Sequence, residues 1–339
     1  MLEDGVSPEV QLRTLLDHIG ARLLALSLGE GGRLAPVFLA ATLAIVFALW
    51  LWRRPQKGFF AWAFPREIWF HPSHWVDIKL IVFLRLFGAL TRVAAIATST
   101  GVGAWVSGTV EQSLGRSGGD ATLAGTLLAA VLVFLTVDFC VYCFHRFSHG
   151  NAVFWPFHAV HHSAEVMTPF TVFRKHPVYD FFGGLLVSLM LGLVLGLVLG
   201  VTVGEVSVAK LAGINVVYYA FNLMGANLRH SHIWLSFGPV IEHLVISPAQ
   251  HQIHHSSDPR HFNKNYGEAL AIWDWMFGTL YVTRGEEKLI FGLTDAEGKA
   301  IVQPHPTLRA LLIEPFLASW RALQGGLRRL GKIRATGPE

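Results

Sequence analysis

A bilayer crossing takes about 20 mostly apolar positions, and runs of that length recur through the first two thirds of this chain. The pattern predicts spans at 35–52, closed by Arg53, Arg54 and Lys57, and at 121–144, 181–203 and 206–228. A further run at 78–106 has Lys79, Arg85 and Arg92 embedded in it, so part of it is expected to lie in the interface or to break before crossing. Residues 1–34 lack the basic start and apolar core of a cleavable signal and read as an amphipathic lead-in. The expected fold class is an all-α integral membrane protein of about four to five transmembrane helices with a cytoplasmic, histidine-rich helical cap. Its expected divisions are the lead-in 1–34, membrane helices over 35–128, a catalytic region at 129–283 and a basic amphipathic tail at 284–339. Within the tail, 308–334 is expected on the inner leaflet.

Lys and Arg collect in cytoplasmic loops, so the cluster at 53–57 puts the end of the first span inside. Counting spans from there delivers residue 145 and residues from 229 onward to that same face. A multi-pass protein of a bacterial inner membrane or the endoplasmic reticulum is the expectation. Gly192, Gly196, Gly200 and Gly204 form one stripe, for which close packing against a neighbouring helix inside the molecule is expected ahead of a homodimer contact or a lipid groove.

Composition agrees with the pattern. Of 339 residues, 52% are hydrophobic and 15% charged, too greasy for a soluble globule of this length. The 27 basic and 23 acidic residues give a net charge of +4, which argues against a nucleic-acid partner. Cys140 and Cys143 lie in an apolar run and read as helix packing.

Chemistry concentrates in the histidines, of which there are 17. HRFSH places His145 and His149 four apart, on one helical face. HAVHH (His158, His161, His162) and HQIHH (His251, His254, His255) repeat an i, i+3, i+4 spacing. Such stacking is unfavourable unless something binds the rings, because each added proton repels the next. Eight imidazoles exceed what one metal accepts from protein, so two ions are expected. There is no HExxH sequence to support a zinc peptidase. A redox pair of irons fits better, because iron can use dioxygen against an unactivated C–H bond.

Several sequence features resemble the fatty acid hydroxylase superfamily, also called the sterol desaturase family. They are the three boxes in this order, RKHP ending at His176 and Pro177, RHSH at 229–232, KNYG, and WDWMFGT. The likeness covers about 130–283 and is greatest to the branch that contains alkylglycerol monooxygenase and bacterial sterol desaturase relatives. It implies O2-dependent hydroxylation or desaturation of a membrane lipid at a histidine-bound diiron centre, with zinc a possible substitute in purified protein. Carried over, it makes ligands of the eight box histidines and of His230 and His176. His232 is a weaker candidate, and Ala226 stands where some members have a further histidine. Asp138, seven residues before His145, is expected to orient that ring, Asp274 either to do the same for the third box or to sit in a surface turn, and Asn265 and Tyr266 to line the site. Without haem, iron–sulfur or dinucleotide motifs, electrons are expected from a separate ferredoxin, cytochrome or reduced pterin. The competing readings are a zinc-dependent lipid hydrolase or isomerase, which needs no electrons, and a metal transporter.

Overall fold

In the computed structural model of the chain, the described residues are 33, 35–87, 89–114, 123–202, 216–295 and 297–335. Among them the molecule is helical, with three isolated bridges and no strand. Four helices among the described residues are long and apolar enough to cross a membrane. They contain Pro36–Arg53, Val93–Leu114, Leu127–Gly150 and Pro177–Val198.

Helix α1 (Pro36–Arg53) starts on a proline, whose missing N–H costs nothing in a first turn. It stops where Arg54 turns left-handed (φ 48°) and its N–H caps Trp50 O. Two short helices follow, Phe59–Ala63 and Arg66–Trp69. The polar-studded run at 78–106 is helical on both sides of residue 88, as α2 (Pro72–Phe87) and α3 (Ala89–Leu114), and of the two α3 contains a full apolar span. At the start of α2, Asp77 is fully buried and paired with Arg174 at 2.8 Å. That anchor ties α2 to the cap, where Val76 and Leu80 pack with Val160 and Leu311.

Helix α4 (Leu123–Gly150) reaches six residues beyond the expected end of its span and carries the first histidine box in its last turns. Helix α6 (Pro177–Thr202) returns alongside it after α5 (Trp155–His162). The glycine stripe of α6 lies on α3, as internal packing requires. A Cβ on Gly196 would stand 2.6 Å from Val106 Cβ and 2.7 Å from Gly103 O, and one on Gly192 would stand 2.8 Å from Ser99 O. Gly204 lies outside the described residues, as do all of the lead-in 1–34 but residue 33 and the first part, 206–215, of the span expected at 206–228. What is described of that span is α7 (Val216–Leu223), followed by a 3-10 turn, Ala226–His230.

The remaining chain builds a cap at one end of the bundle from α8 (Pro248–His254), the short helix Ile272–Met276 and connecting turns. The amphipathic tail forms α9 (Leu308–Ala335), whose Leu308, Leu311 and Leu312 pack beside α2 and α5. Arg53 donates to Trp234 O at 2.7 Å, so the end of α1 meets the cap. The end of α4 and the start of α6 lie at that same end.

Candidate metal centre

Each histidine-bearing segment is shaped by its own local signals. Ser247 starts α8 with a capping box. Its hydroxyl accepts from Gln250 N while its own N–H donates to Gln250 Oε1. Buried Glu242 accepts from the Ser236, Ser247 and Thr283 hydroxyls, and Gln252 Nε2 donates to Leu228 O and Ile233 O. These bonds fix α8 against the 226–230 turn. Helix α5 is entered over Asn151, whose Oδ1 accepts from Val153 N and Phe154 N. Buried Arg174 then clamps its far end, donating to Val160 O, Ser163 Oγ and Asp77.

The helices bring nine histidines together in two abutting groups. Each group holds one nitrogen from every member within 4.8 Å of the others. One contains His145, His149, His158, His162 and His254, and the other His161, His230, His251 and His255. In the first, His149 Nε2 and His158 Nε2 stand 3.2 and 3.1 Å from His162 Nε2. In the second, His230 Nε2 stands 3.2 Å from His161 Nε2 and 3.0 Å from His251 Nε2, which is 3.2 Å from His255 Nε2. Ring nitrogens about 2.1 Å from a metal stand about 3.0 Å apart on an octahedral edge and about 3.4 Å apart on a tetrahedral one. The observed spacings are thus those of nitrogens able to share a cation within each group.

Two outer contacts settle which nitrogen faces inward. His145 Nδ1 meets Tyr266 O at 2.8 Å and His254 Nδ1 meets Lys264 O at 2.7 Å. A carbonyl only accepts, so both Nδ1 atoms carry the proton and both Nε2 atoms keep a lone pair. Those Nε2 atoms are buried with no hydrogen-bond partner among the described residues. Burial first, and then neighbouring imidazoles, hold His158, His161, His162, His230, His251, His254 and His255 well below the ordinary histidine range. Neutral rings are what a metal needs.

Two sequence expectations require correction. His176 lies in neither group: its Nε2 faces Leu312 O at 3.2 Å, its Nδ1 accepts from Val178 N, and its ring packs on Phe157 and Phe316. The ring sits where α9 crosses α5, so its polar atoms serve that junction. Asp138 does not take a ring N–H from His145. Its carboxylate accepts from Ala269 N, Leu270 N and Trp273 Nε1. Together with Asp274, which accepts from Tyr266 N and Gly267 N, it pins the loop whose Tyr266 carbonyl reaches His145. Asp138 is thus one step further from the histidines than expected. His232 is engaged with Trp62 O at 2.9 Å.

Asn265 and Tyr266 were expected at the site and Asn263 and Lys264 were not; what sequence reasoning missed is that this stretch acts through its backbone. Asn263 (φ 59°) and Asn265 (φ 56°) are left-handed, a conformation asparagine tolerates. They flank Lys264 and Tyr266, whose carbonyls hold two rings. The KNYG motif was the signal, and it marks a backbone shape more than a set of side chains.

Two cavities approach the groups. One of ≈ 180 Å³ opens on His149, His162, His254 and His255 beside Trp155 and Thr294. The other, of ≈ 800 Å³, lies among α3, α4 and α6 and is bordered by Tyr179, whose ring stacks on His158 at 4.6 Å and 27°.

Residues 130–279 match the family model described as fatty acid hydroxylase. The chain is 32% identical over 167 residues to alkylglycerol monooxygenase of Danio rerio, covering 49% of this chain and 33% of the relative. It is 28% identical over 189 residues to an ornithine lipid hydroxylase of Rhizobium tropici, covering 55% and 50%. Against a Delta(7)-sterol 5(6)-desaturase of Eremothecium gossypii it is 32% identical over 152 residues, covering 45% and 37%. The chain spans about a third of the length of the alkylglycerol monooxygenases it matches. No solved structure matches.

Proposed function

Starting from residues 130–279 as a fatty acid hydroxylase domain, we propose that the chain is a membrane-bound non-haem diiron oxygenase. It hydroxylates or desaturates a C–H bond of a membrane lipid with O2 and electrons from a ferredoxin, a cytochrome or a reduced pterin. The observation that carries the reading is the convergence of nine imidazoles into a group of five and a group of four at one end of the membrane helices. His176 is left out of the ligand set for the reason given above.

The two histidine groups would hold two irons, which with O2 and electrons would supply an oxidant strong enough for an unactivated C–H bond. The protein's own part is placement. The Lys264 and Tyr266 carbonyls hold the Nδ1 protons of His254 and His145 and keep their Nε2 lone pairs inward. The larger cavity offers an apolar approach beneath His158, and the smaller one an approach from the cap. The relatives named alkylglycerol monooxygenase, ornithine lipid hydroxylase and sterol desaturase support a lipid as substrate. The basic residues Arg53, Arg54 and Lys57 at the cap end of α1 support a cytoplasmic centre. A zinc hydrolase has less support, because five imidazoles in one group exceed the four ligands of tetrahedral zinc.

Metal analysis of the purified full chain is expected to find two irons. Lipid extracts incubated with it are expected to be oxidised only with both O2 and reductant. Turnover under strict anaerobiosis, or full activity of His254→Ala, would overturn the proposal.

A further inference from the structure

One side of the cap reaches down along α4. Ala269 N, Leu270 N and Trp273 Nε1 all donate to Asp138, and the Phe139 ring lies 4.9 Å from Trp273 and 6.3 Å from Phe277, centre to centre. Asp138 and Phe139 precede His145 by two turns of helix, so these contacts lie about 10 Å deeper along α4 than the first histidine box. They fall inside the apolar span Leu127–Gly150, where Leu128, three turns further down on the face of Phe139, is exposed as well. Two stretches of the cap meet at this depth: Ala271 N donates to Leu244 O, Val245 pairs with Leu270, and the His243 and Trp275 rings stand 5.5 Å apart. What they turn outward is apolar, namely Val240 (79% exposed), Ile241, Leu244, Trp275 (57%), Met276 (65%) and Phe277. Residues 233–249 and 269–283 hold no Lys or Arg and one acid each, Glu242 and Asp274, both fully buried. An uncharged surface of this breadth is unfavourable against water. The nearest cation is exposed Arg146, two turns above Phe139, with its guanidinium 5.8 Å from the Phe277 ring centre. An arginine reaching past an aromatic ring towards water is typical of the edge of a membrane.

We propose that this face of the cap, residues 240–244 with 275–277, is a wedge seated in the lipid leaflet at the cap end of the bundle. Its occupant is the boundary between head groups and acyl chains, because the wedge continues the lipid-facing side of α4 through Phe139 and stops at Arg146. The wedge also bears on the histidines. Asp274 belongs to it and accepts from Tyr266 N and Gly267 N at 2.8 and 2.7 Å, so the leaflet backs the turn whose Tyr266 carbonyl meets His145. The inference goes beyond the oxidative reading and stands without it.

The test uses neither O2 nor reductant, so its failure is distinct from failure of the oxidative reading. The iron-loaded full chain is placed one copy per phosphatidylcholine nanodisc, with Cys140 and Cys143 replaced by alanine and one cysteine introduced. The positions are Val240→Cys, Met276→Cys and, for comparison, Arg260→Cys, whose native side chain is 71% accessible. Reaction with a charged maleimide reports water. A fluorescent dye attached beforehand in detergent, quenched by lipids that carry a nitroxide near the top of the acyl chain, reports lipid. Val240→Cys and Met276→Cys are expected to react about tenfold more slowly than Arg260→Cys, since apolar surroundings disfavour the reactive thiolate. Their dyes are expected to lose most of their fluorescence to the nitroxide, and the dye at Arg260→Cys to keep it. Should Met276→Cys lose its iron, Trp275→Cys carries the same expectation. Reaction as fast as at Arg260→Cys would place the face in water and overturn the proposal. Slow reaction without quenching by the nitroxide would mean that protein covers the face, and overturns it equally.

Discussion

Two backbone carbonyls, of Lys264 and Tyr266, hold the outer nitrogens of His254 and His145, and both depend on asparagines in a conformation most residues avoid. Asn265 is fully buried; its amide donates to Gln250 O and Tyr281 O and its carbonyl accepts from Tyr281 N. Asn265→Ala is expected to cost about 3 kcal/mol, from left-handed strain and lost buried hydrogen bonds, and to weaken iron retention, read by metal analysis after dialysis. His254→Ala and His176→Ala should separate cleanly. The first removes a nitrogen from the five-membered group and is expected to lose iron. The second is expected to keep iron and lower thermal stability, because it breaks the junction with Leu312. Acid provides a further check on the metal-free protein. Its buried rings stay neutral below the ordinary histidine value of 6.5 while the unfolded chain takes up protons there. Unfolding then binds protons, so stability falls as pH drops through that value. The melting temperature of metal-free protein is expected to drop between about pH 7.5 and 5.5, and iron to diminish the drop. At this scale the histidine boxes were legible because i, i+3 and i+4 spacing is a local signal. The carbonyl partners were not, since every residue has a carbonyl and only the fold selects two.

Among the elements, the pairing of α3 with α6 is set by absence of side chains. Gly192, Gly196 and Gly200 place the α6 backbone against Ser99, Gly103 and Ser107 carbonyls, with Val102, Val106 and Val110 closing over them. Gly196→Ala already puts a carbon 2.6 Å from Val106 Cβ, so the helices must separate. A loss of about 2 kcal/mol is expected, the scale of overpacking, seen as a lower melting temperature in detergent. An unchanged value would mean that α6 slides freely. The stripe was readable as packing, but its partner was not, because small-residue spacing names a face and never the helix it meets. The run at 78–106 was readable as awkward because of Lys79, Arg85 and Arg92 within it, and its full apolar span begins only at Val93. That Asp77, near its start, closes on Arg174, 97 positions later, has no local signature. That ion pair clamps α5, so a residue remote from every histidine box helps to set one of them.

At the level of the whole molecule, the two histidine-rich stretches, 145–162 and 251–255, must share one membrane face for the groups to form, and counting apolar spans from the basic cluster after α1 required that arrangement. The fold brings Arg53, the end of α4, the start of α6 and the 226–230 turn to the cap end, although residues 203–215, which contain part of the expected last crossing, lie outside the described residues. Span counting could reach this result because hydropathy and basic residues are read directly from sequence. The depth of contact between cap and bundle is a tertiary fact, carried by pairs such as Asp138 with Trp273. The topology is open to labelling, since Cys140 is buried and Cys143 half-buried inside α4, leaving a low background. Lys57 and Arg260 are exposed at the cap end, with side chains 65% and 71% accessible, and exposed Ser113 lies near the far end of α3. In oriented membrane vesicles, an impermeant maleimide is expected to reach Lys57→Cys and Arg260→Cys from one face and Ser113→Cys from the opposite one. Basic residues favour the cytoplasm for the first pair. Labelling of Lys57→Cys and Arg260→Cys from opposite faces would contradict a shared cap, and with it any centre assembled from both stretches.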